Sequence, residues 1–334
     1  MVYNKYIGII GGTGTIGSII VKYLLQLQTH FHVLIGGRRS IKEISMSTFY
    51  NSERLKYNQM NYNNDVELDN FCSQCLLVIN AVGPSFKIND KIALHALRNN
   101  CHYIDIGGYG ILRDLLKPYE KSIEAQKLCF IIGVGWMPGI SGVFSKTIIE
   151  THLNSPENTN FNIYYGAVDN WSYSSTYDLA ASSMGKTRSY VYSHGKEIQV
   201  SPFRYTHHKF FPFIGHKKIC MPSFDEQLTQ LATSLKQIRK ISTFIMLNDY
   251  ISMGKFMFIK IFYKHNLNKA TLMLQDDYQR LVKKENKWGS VICQVSKIEP
   301  ERKIDTFYYL YTKNNLLYTA SVSYTHLTLP TTSR

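Results

Sequence analysis

Residues 11–17 read Gly11-Gly12-Thr13-Gly14-Thr15-Ile16-Gly17 and stand between a short apolar run at 6–10 and a stretch with helical spacing at Ile16, Ile19, Ile20, Tyr23, Leu24 and Leu27. Strand, glycine turn and helix in that order predict a dinucleotide-binding βαβ unit, because the three glycines of G-x-G-x-x-G each meet a separate steric demand. Gly12 permits the tight turn, Gly14 lets a pyrophosphate approach the backbone, and Gly17 lets the helix pack close to the strand. Backbone N–H groups at the helix start, those of Thr15 and Ile16 among them, then favour the phosphates together with the helix dipole. Gly11 also allows the overlapping G-x-x-G-x-x-G reading, so the fingerprint sets the ligand class and leaves the subfamily open.

A second buried strand, predicted at 32–35, closes the unit and runs into Ile35-Gly36-Gly37-Arg38-Arg39. An NAD site usually places Asp or Glu after this strand to accept from the adenosine ribose 2′-hydroxyl. Here no carboxylate is present to repel a 2′-phosphate, and Arg38 offers a planar, permanently charged fork to pair with one. The expected cofactor is therefore NADP(H), held by Arg38, with Arg39 either a second contact or an ordinary solvated charge.

Outward from this unit, apolar runs predict further strands at 57–62, 76–81, 103–106 and 129–133, separated by helical patterns at 41–57, 90–99 and 112–127. Alternation of strand and helix implies an α/β fold with a Rossmann doubly wound parallel sheet. After Pro138-Gly139 a helix is expected to about His152, and the texture then changes to longer strands rich in Tyr, Phe and Ile, as at 161–168 and 189–192, with helical patterns at 224–239 and 278–284. This predicts residues 1–153 as the nucleotide-binding domain and 154–321 as a second, α+β domain on an open mixed sheet. Two strand ends of the first domain carry chemistry at the carboxyl edge where ligands of open α/β sheets bind. Asn80-Ala81-Val82-Gly83-Pro84 places Ala81, Gly83 and Pro84 beside the cofactor, and Tyr103-Ile104-Asp105-Ile106-Gly107-Gly108 places Asp105 there. Asp105 reads either as a turn cap or as a contact to the nicotinamide ribose or a substrate amine.

At 334 residues, with 44% hydrophobic and 19% charged, the chain has the composition of a folded two-domain protein. Its formal charge of +14 is spread along the chain without a long basic tract, so no nucleic-acid partner is expected and the field suits an anionic cofactor and an acidic substrate. No apolar run approaches the ~20 residues needed to cross a bilayer, and no signal-peptide pattern opens the chain, so the expected compartment is the cytoplasm, with no membrane partner. Six cysteines include one close pair, Cys72 and Cys75, with no second pair or histidines at ligand spacing; adjacent His207 and His208 likewise do not make a metal site.

Taken together, GGTGTIG, IGGRR, VINAVGP, the block ALHALRNNCHYIDIGG and GVGWMPGISG resemble the saccharopine dehydrogenase-like NADP-binding family in order and spacing. Residues 177–184, the turn His194-Gly195-Lys196 and Leu317-Tyr318-Thr319-Ala320 resemble weaker second-domain landmarks. The resemblance implies a Rossmann domain, a second domain carrying the substrate site, and a C-terminal segment returning toward the first. It further implies hydride transfer between NADPH and a C=N bond formed from an amine and a carbonyl, on a small, amino-acid-derived substrate, and it leaves a homodimer open. The protein would supply orientation and a proton donor; candidates are Tyr109, Tyr177, Lys186 and His194. Two other readings stay open, a non-catalytic NADP-binding sensor or scaffold and a reductase of C=C or C=O bonds on the same fold. Finally, residues 322–331, Val-Ser-Tyr-Thr-His-Leu-Thr-Leu-Pro-Thr, resemble the in-frame translation of a sequencing adapter, which makes 322–334 an expected non-native tail on a truncated chain.

Overall fold

A computed structural model describes residues 5–27, 31–40, 52–108, 110–154, 158–185, 189–223, 226–316 and 319–320. Contacts divide the chain into two units, Met1–Gly139 with Leu316–Arg334, and Ile140–Asn315.

In the first unit β1 (Tyr6–Ile10), α1 (Thr15–Gln26) and β2 (Val33–Gly37) form the expected βαβ motif, followed by β3 (Leu55–Gln59), α2 (Asp65–Ser73) and β4 (Cys75–Asn80). Then come α3 (Ser85–Ile88), α4 (Lys91–Arg98), β5 (His102–Asp105), α5 (Gly110–Leu116), α6 (Glu120–Ala125) and β6 (Phe130–Ile132). The six strands make one sheet in the order β3-β2-β1-β4-β5-β6, every pair parallel. Alternation along β1 sends Ile7 and Ile9 to one face, where they pack with Ile20, Val21 and Leu24 of α1 and with Ala320. Ile10 turns to the other face, against Phe71 of α2 and Ile92 and Ala96 of α4. Each fully buried aliphatic side chain stabilises the unit by about 1.5–3 kcal/mol, so helices on both faces are what hold a parallel sheet together. Gly8 is fixed by this layering, since a Cβ there would lie 2.8 Å from the Phe71 ring and 2.5 Å from Cys75 Sγ.

Several elements differ from the sequence reading. The third strand starts at Leu55, not Tyr57, and residues 52–54 are not helical; 41–51 lie outside the described residues. The single helix expected over 112–127 is broken by a 3-10 turn at Lys117–Tyr119, because Pro118 cannot donate the helical hydrogen bond. Helix α2 was not anticipated, although its start is marked in the sequence: Asn64 accepts from the N–H groups of Val66 and Glu67 as its cap.

The second unit comprises α7 (Ile140–Thr151), β7 (Thr159–Val168), α8 (Tyr173–Gly185), β8 (Ser189–Ser193), β9 (Lys196–Val200), α9 (Pro202–Tyr205), β10 (His207–Phe211) and β11 (His216–Pro222). It continues with α10 (Glu226–Ser234), β12 (Lys240–Leu247), α11 (Tyr250–Phe262), α12 (Leu267–Lys284), β13 (Trp288–Ile298) and β14 (Lys303–Thr312). Its sheet runs β10-β11-β12-β7-β13-β14 with the hairpin β8-β9 attached to β12; β12 and β7 are parallel and their neighbours antiparallel. The second domain is thus built on a mixed sheet, as expected. Its core includes Tyr164 stacked on Phe244 with ring centres 5.1 Å apart, and Trp171 stacked on Tyr278 of α12 at 4.9 Å. Two polar clamps support it. Lys218, 2% exposed, reaches Asn248 Oδ1 at 2.5 Å and Glu285 Oε2 at 3.2 Å. Arg280 joins Asp249, the cap of α11, to Asp277 of α12. No helix among the described residues is long and apolar enough to cross a membrane.

Candidate functional site

The strand order of the first unit reverses direction between β1 and β4, and the loops leaving those two strands meet there, as they do at ligand sites of doubly wound sheets. Ala81 N donates to Ile10 O at 2.9 Å, and Gly11 N donates to Gly36 O at 2.8 Å. Gly11 has a φ of 83°, and a Cβ on it would sit 2.9 Å from Val82 and 3.0 Å from Ala81 backbone, so the two loops close on each other only because it is glycine.

The remaining glycines separate into two kinds. A Cβ on Gly17 would lie 2.2 Å from Gly11 O, and one on Gly12 2.8 Å from Ile35, so both are demanded by the chain's own packing. On Gly14 the nearest atom would be Gly11 O at 3.1 Å, with no other within 4 Å, a far milder contact than at Gly17. Gly14 caps α1 with no side-chain hydrogen bond, and no acidic residue stands in the first turn. The N–H groups of Thr15, Ile16 and Gly17 are therefore presented at an uncapped helix start, which favours an anion.

Arg38 and Arg39 leave the end of β2, and both are exposed. They are not equivalent. Arg39 Nη2 donates to Thr13 O at 3.1 Å, and its carbonyl accepts from Tyr57 OH, so it is tied to the glycine turn while remaining exposed. The Arg38 carbonyl accepts from Gln59 Nε2 at 3.4 Å, while its guanidinium makes no hydrogen bond or ion pair among the described residues. An exposed cation at the end of β2 and an uncapped helix start after β1 suit the 2′-phosphate and pyrophosphate of NADP(H).

At the ends of β4 and β5, Asn80 and Asp105 are register partners and each 2% exposed. Asp105 Oδ2 accepts from Asn80 Nδ2 at 2.8 Å and from Tyr103 OH at 2.6 Å, while Oδ1 accepts from the N–H groups of Gly107 and Gly108. Both oxygens thus hold two donors from the chain itself, an arrangement that suits a turn cap. Burial pushes its carboxyl up, against four hydrogen bonds that favour the ionised form. Asn80 Oδ1 in turn accepts from Val82 N at 3.0 Å, so one network fixes both strand-end loops. Gly83 and Pro84 follow in the first of them, joined by a cis peptide bond. The sequence reading missed Asn80 and Tyr103 as members of this network. Asn and Asp closing two consecutive apolar strands were the available signal.

Of the proton-donor candidates, Tyr109 and Lys186 lie outside the described residues. Tyr177 is buried in α8 near Tyr173, with ring centres 6.1 Å apart. His194 is exposed at the tip of the β8-β9 hairpin with a φ of 50°, followed by Gly195 at 72°, the backbone of a tight two-residue turn. No group of three potential metal ligands occurs among the described residues. His207 contacts Tyr164 and Phe244 while His208 reaches Tyr250 OH, so the neighbouring histidines diverge. Cys72 and Cys75 are buried free thiols whose titration burial shifts upward; they belong to the core of the first unit.

The model of the saccharopine dehydrogenase NADP binding domain family matches residues 7–129, which span β1 to the start of β6. No curated protein sequence matches the chain. Among solved structures, apo histidine-tagged saccharopine dehydrogenase (L-Glu forming) from Saccharomyces cerevisiae superimposes with a TM-score of 0.63 over 96% of this chain and 88% of that one, at 12% identity. An engineered D-amino acid dehydrogenase (TM-score 0.45, 12% identity, 96% and 87% covered) and DAP dehydrogenase of C. glutamicum in complex with DAP (0.44, 11%, 96% and 86%) are more distant. The yeast likeness is one of fold alone, and the looser two carry no argument.

Proposed function

We propose that this chain, whose first unit belongs to the saccharopine dehydrogenase NADP-binding family and which is an NADP(H)-dependent oxidoreductase, reduces a C=N bond between an amine and a carbonyl on an amino-acid-derived substrate. The observation that carries the reading is the family match over residues 7–129, joined to a strand-end geometry that suits this cofactor.

NADPH, when bound, supplies the hydride. The chain's own residues bind and orient. Gly14 and the amides of Thr15, Ile16 and Gly17 receive the pyrophosphate, Arg38 pairs with the 2′-phosphate, and Arg39 braces the turn through Thr13. Ala81, Gly83 and Pro84 border the nicotinamide half. Asp105 acts indirectly, holding Gly107 and Gly108 in place through its hydrogen bonds. Substrate binding is assigned to the second unit, Ile140–Asn315, and the proton donor to the set Tyr109, Tyr177, Lys186 and His194. Six free cysteines fit work in the reducing cytoplasm.

The test is NADPH consumption by the purified protein with a panel of amine and carbonyl pairs. Turnover on one such pair supports the reading. Tight NADPH binding with turnover on none of them favours a sensor or scaffold, and turnover on carbonyl or alkene substrates alone favours the C=O or C=C alternative.

A further inference from the structure

Strand β3 is the edge of the first sheet, yet two of its side chains reach the loop that leaves its neighbour β2. Tyr57 is the register partner of Ile35, and Gln59 that of Gly37. The Tyr57 ring packs against the core under α1, and its hydroxyl donates to the Arg39 carbonyl two residues beyond β2. Gln59 Nε2 donates to the Arg38 carbonyl at 3.4 Å. Gly37 leaves room for the first of these contacts: a Cβ there would lie 2.9 Å from the Tyr57 hydroxyl oxygen and 3.5 Å from Thr13 Oγ1, so the ring crosses β2 where no side chain stands. A tyrosine rooted in a core and polar at its tip is a stiff strut, with only two side-chain torsions to freeze.

These bonds also orient the peptide between the two arginines. In a trans peptide the carbonyl and the N–H point in opposite directions, so turning the Arg38 carbonyl toward Gln59 turns the N–H of Arg39 away from β3. That N–H donates to no acceptor among the described residues. The exposed Arg38 guanidinium likewise makes no hydrogen bond or ion pair among them. Arg39 is held at a further point, through Nη2 to Thr13 O at 3.1 Å. The loop is thus fixed at two consecutive carbonyls and at one side chain, while one neutral and one charged donor of adjacent residues are left unused. Donors on a backbone held in advance lose little freedom when an anion binds, and a charged donor strengthens the contact.

We propose that Tyr57 is a positioning residue for cofactor choice: by holding the Arg39 carbonyl, while Gln59 holds that of Arg38, it sets the peptide between them so that the Arg39 N–H and the Arg38 guanidinium receive the 2′-phosphate together. This rests on the assignment of Arg38 to the 2′-phosphate. It adds that the preference for NADPH over NADH depends on an uncharged hydroxyl whose bond is made to the chain's own backbone.

The test is titration with NADPH and with NADH of the wild type, Tyr57→Phe, Gln59→Ala, Arg38→Ala and the double variant of Arg38→Ala with Tyr57→Phe, with circular dichroism and urea unfolding measured on the same samples. Tyr57→Phe keeps the ring in the core and removes the hydroxyl. Its spectrum and NADH affinity should match the wild type, while NADPH should bind roughly three- to tenfold more weakly, the worth of one hydrogen bond. Gln59→Ala should act in the same direction and less strongly. In the Arg38→Ala background Tyr57→Phe should weaken NADPH by less than about twofold, because the charged half of the pair is already gone. Unchanged NADPH affinity in Tyr57→Phe, equal losses for the two nucleotides, or the full loss persisting in the Arg38→Ala background would overturn the proposal. A selective loss of NADPH in Arg38→Ala itself would then leave the assignment of Arg38 standing. If Arg38→Ala kept the NADPH preference, both would fall.

Discussion

Adding one methyl group at each of two glycines, in Gly17→Ala and Gly14→Ala, should separate folding from ligand binding within four residues of chain. At Gly17 the new Cβ would stand 2.2 Å from Gly11 O and 2.8 Å from Gly12 Cα, both backbone atoms of a turn pinned to β2 and β4, so neither can step aside cheaply. Forced contacts of this kind cost about 1–3 kcal/mol or more, a large fraction of the ~5–15 kcal/mol that holds a domain. At Gly14 the closest approach is 3.1 Å to one atom, and the residue's φ of −80° and ψ of 175° suit alanine. The cost there is the loss of glycine at a helix N-cap, under about 1 kcal/mol. Urea unfolding gives the stability and fluorescence titration the NADPH affinity. Gly17→Ala should lose stability, and binding with it; Gly14→Ala should lose no more than about 1 kcal/mol of stability yet bind NADPH at least tenfold more weakly. If Gly14→Ala bound NADPH like the wild type, or proved the less stable of the two, the assignment of Gly14 to the ligand and Gly17 to the fold would be refuted.

Two further outcomes follow from the polar networks. Asp105→Ala would leave Asn80 Nδ2, Tyr103 OH and the N–H groups of Gly107 and Gly108 without their acceptor, which should cost about 3–5 kcal/mol in urea unfolding, with Asp105→Asn losing less because it keeps one acceptor oxygen. In the second unit, burial alone would raise the Asp249 carboxyl, but hydrogen bonds from Arg280 and Ser252 hold it well below the usual carboxylate range. Its contribution to stability is therefore full above its unfolded value of ~3.9 and is lost as pH falls toward the lower folded value. The urea midpoint should drop as the pH is lowered below about 4, and Asp249→Asn should be less stable at neutral pH and less sensitive to acid; an identical acid profile would contradict this.

How legible each part was depended on whether its cause is local. The first βαβ unit could be read because periodicity and steric need coincide: Ile7 and Ile9 alternate with Gly8, and Gly12 and Gly17 are where packing demands them. Strand β3 was misplaced because it is the sheet's edge and carries one partner strand and a half-buried pattern, so the sequence there shows no sustained apolar run. Helix α2 was missed for its low apolar content, although Asn64 followed by Glu67 announced its start. In the second unit, strand order depends on pairings between distant residues such as Thr243 with Ile163, for which no local signal exists. The same division holds at the site. The glycine turn and Arg38 each sit in a short local motif that speaks for itself, whereas the tie from Arg39 to Thr13 arises only when β2 lies beside β1, and the Asn80–Asp105–Tyr103 network only when β4 lies beside β5.

The central claim, an NADP(H) site read out by Arg38, is tested most directly by titrating the protein with NADPH and with NADH, in the wild type and in Arg38→Ala. A charged hydrogen-bonded pair with the 2′-phosphate is worth about 1.5–3 kcal/mol, or roughly 10- to 150-fold in affinity. The wild type should therefore prefer NADPH by at least tenfold, and Arg38→Ala should lose most of that preference while its NADH affinity hardly moves. Equal affinities in the wild type, or equal losses for both nucleotides in Arg38→Ala, would contradict it.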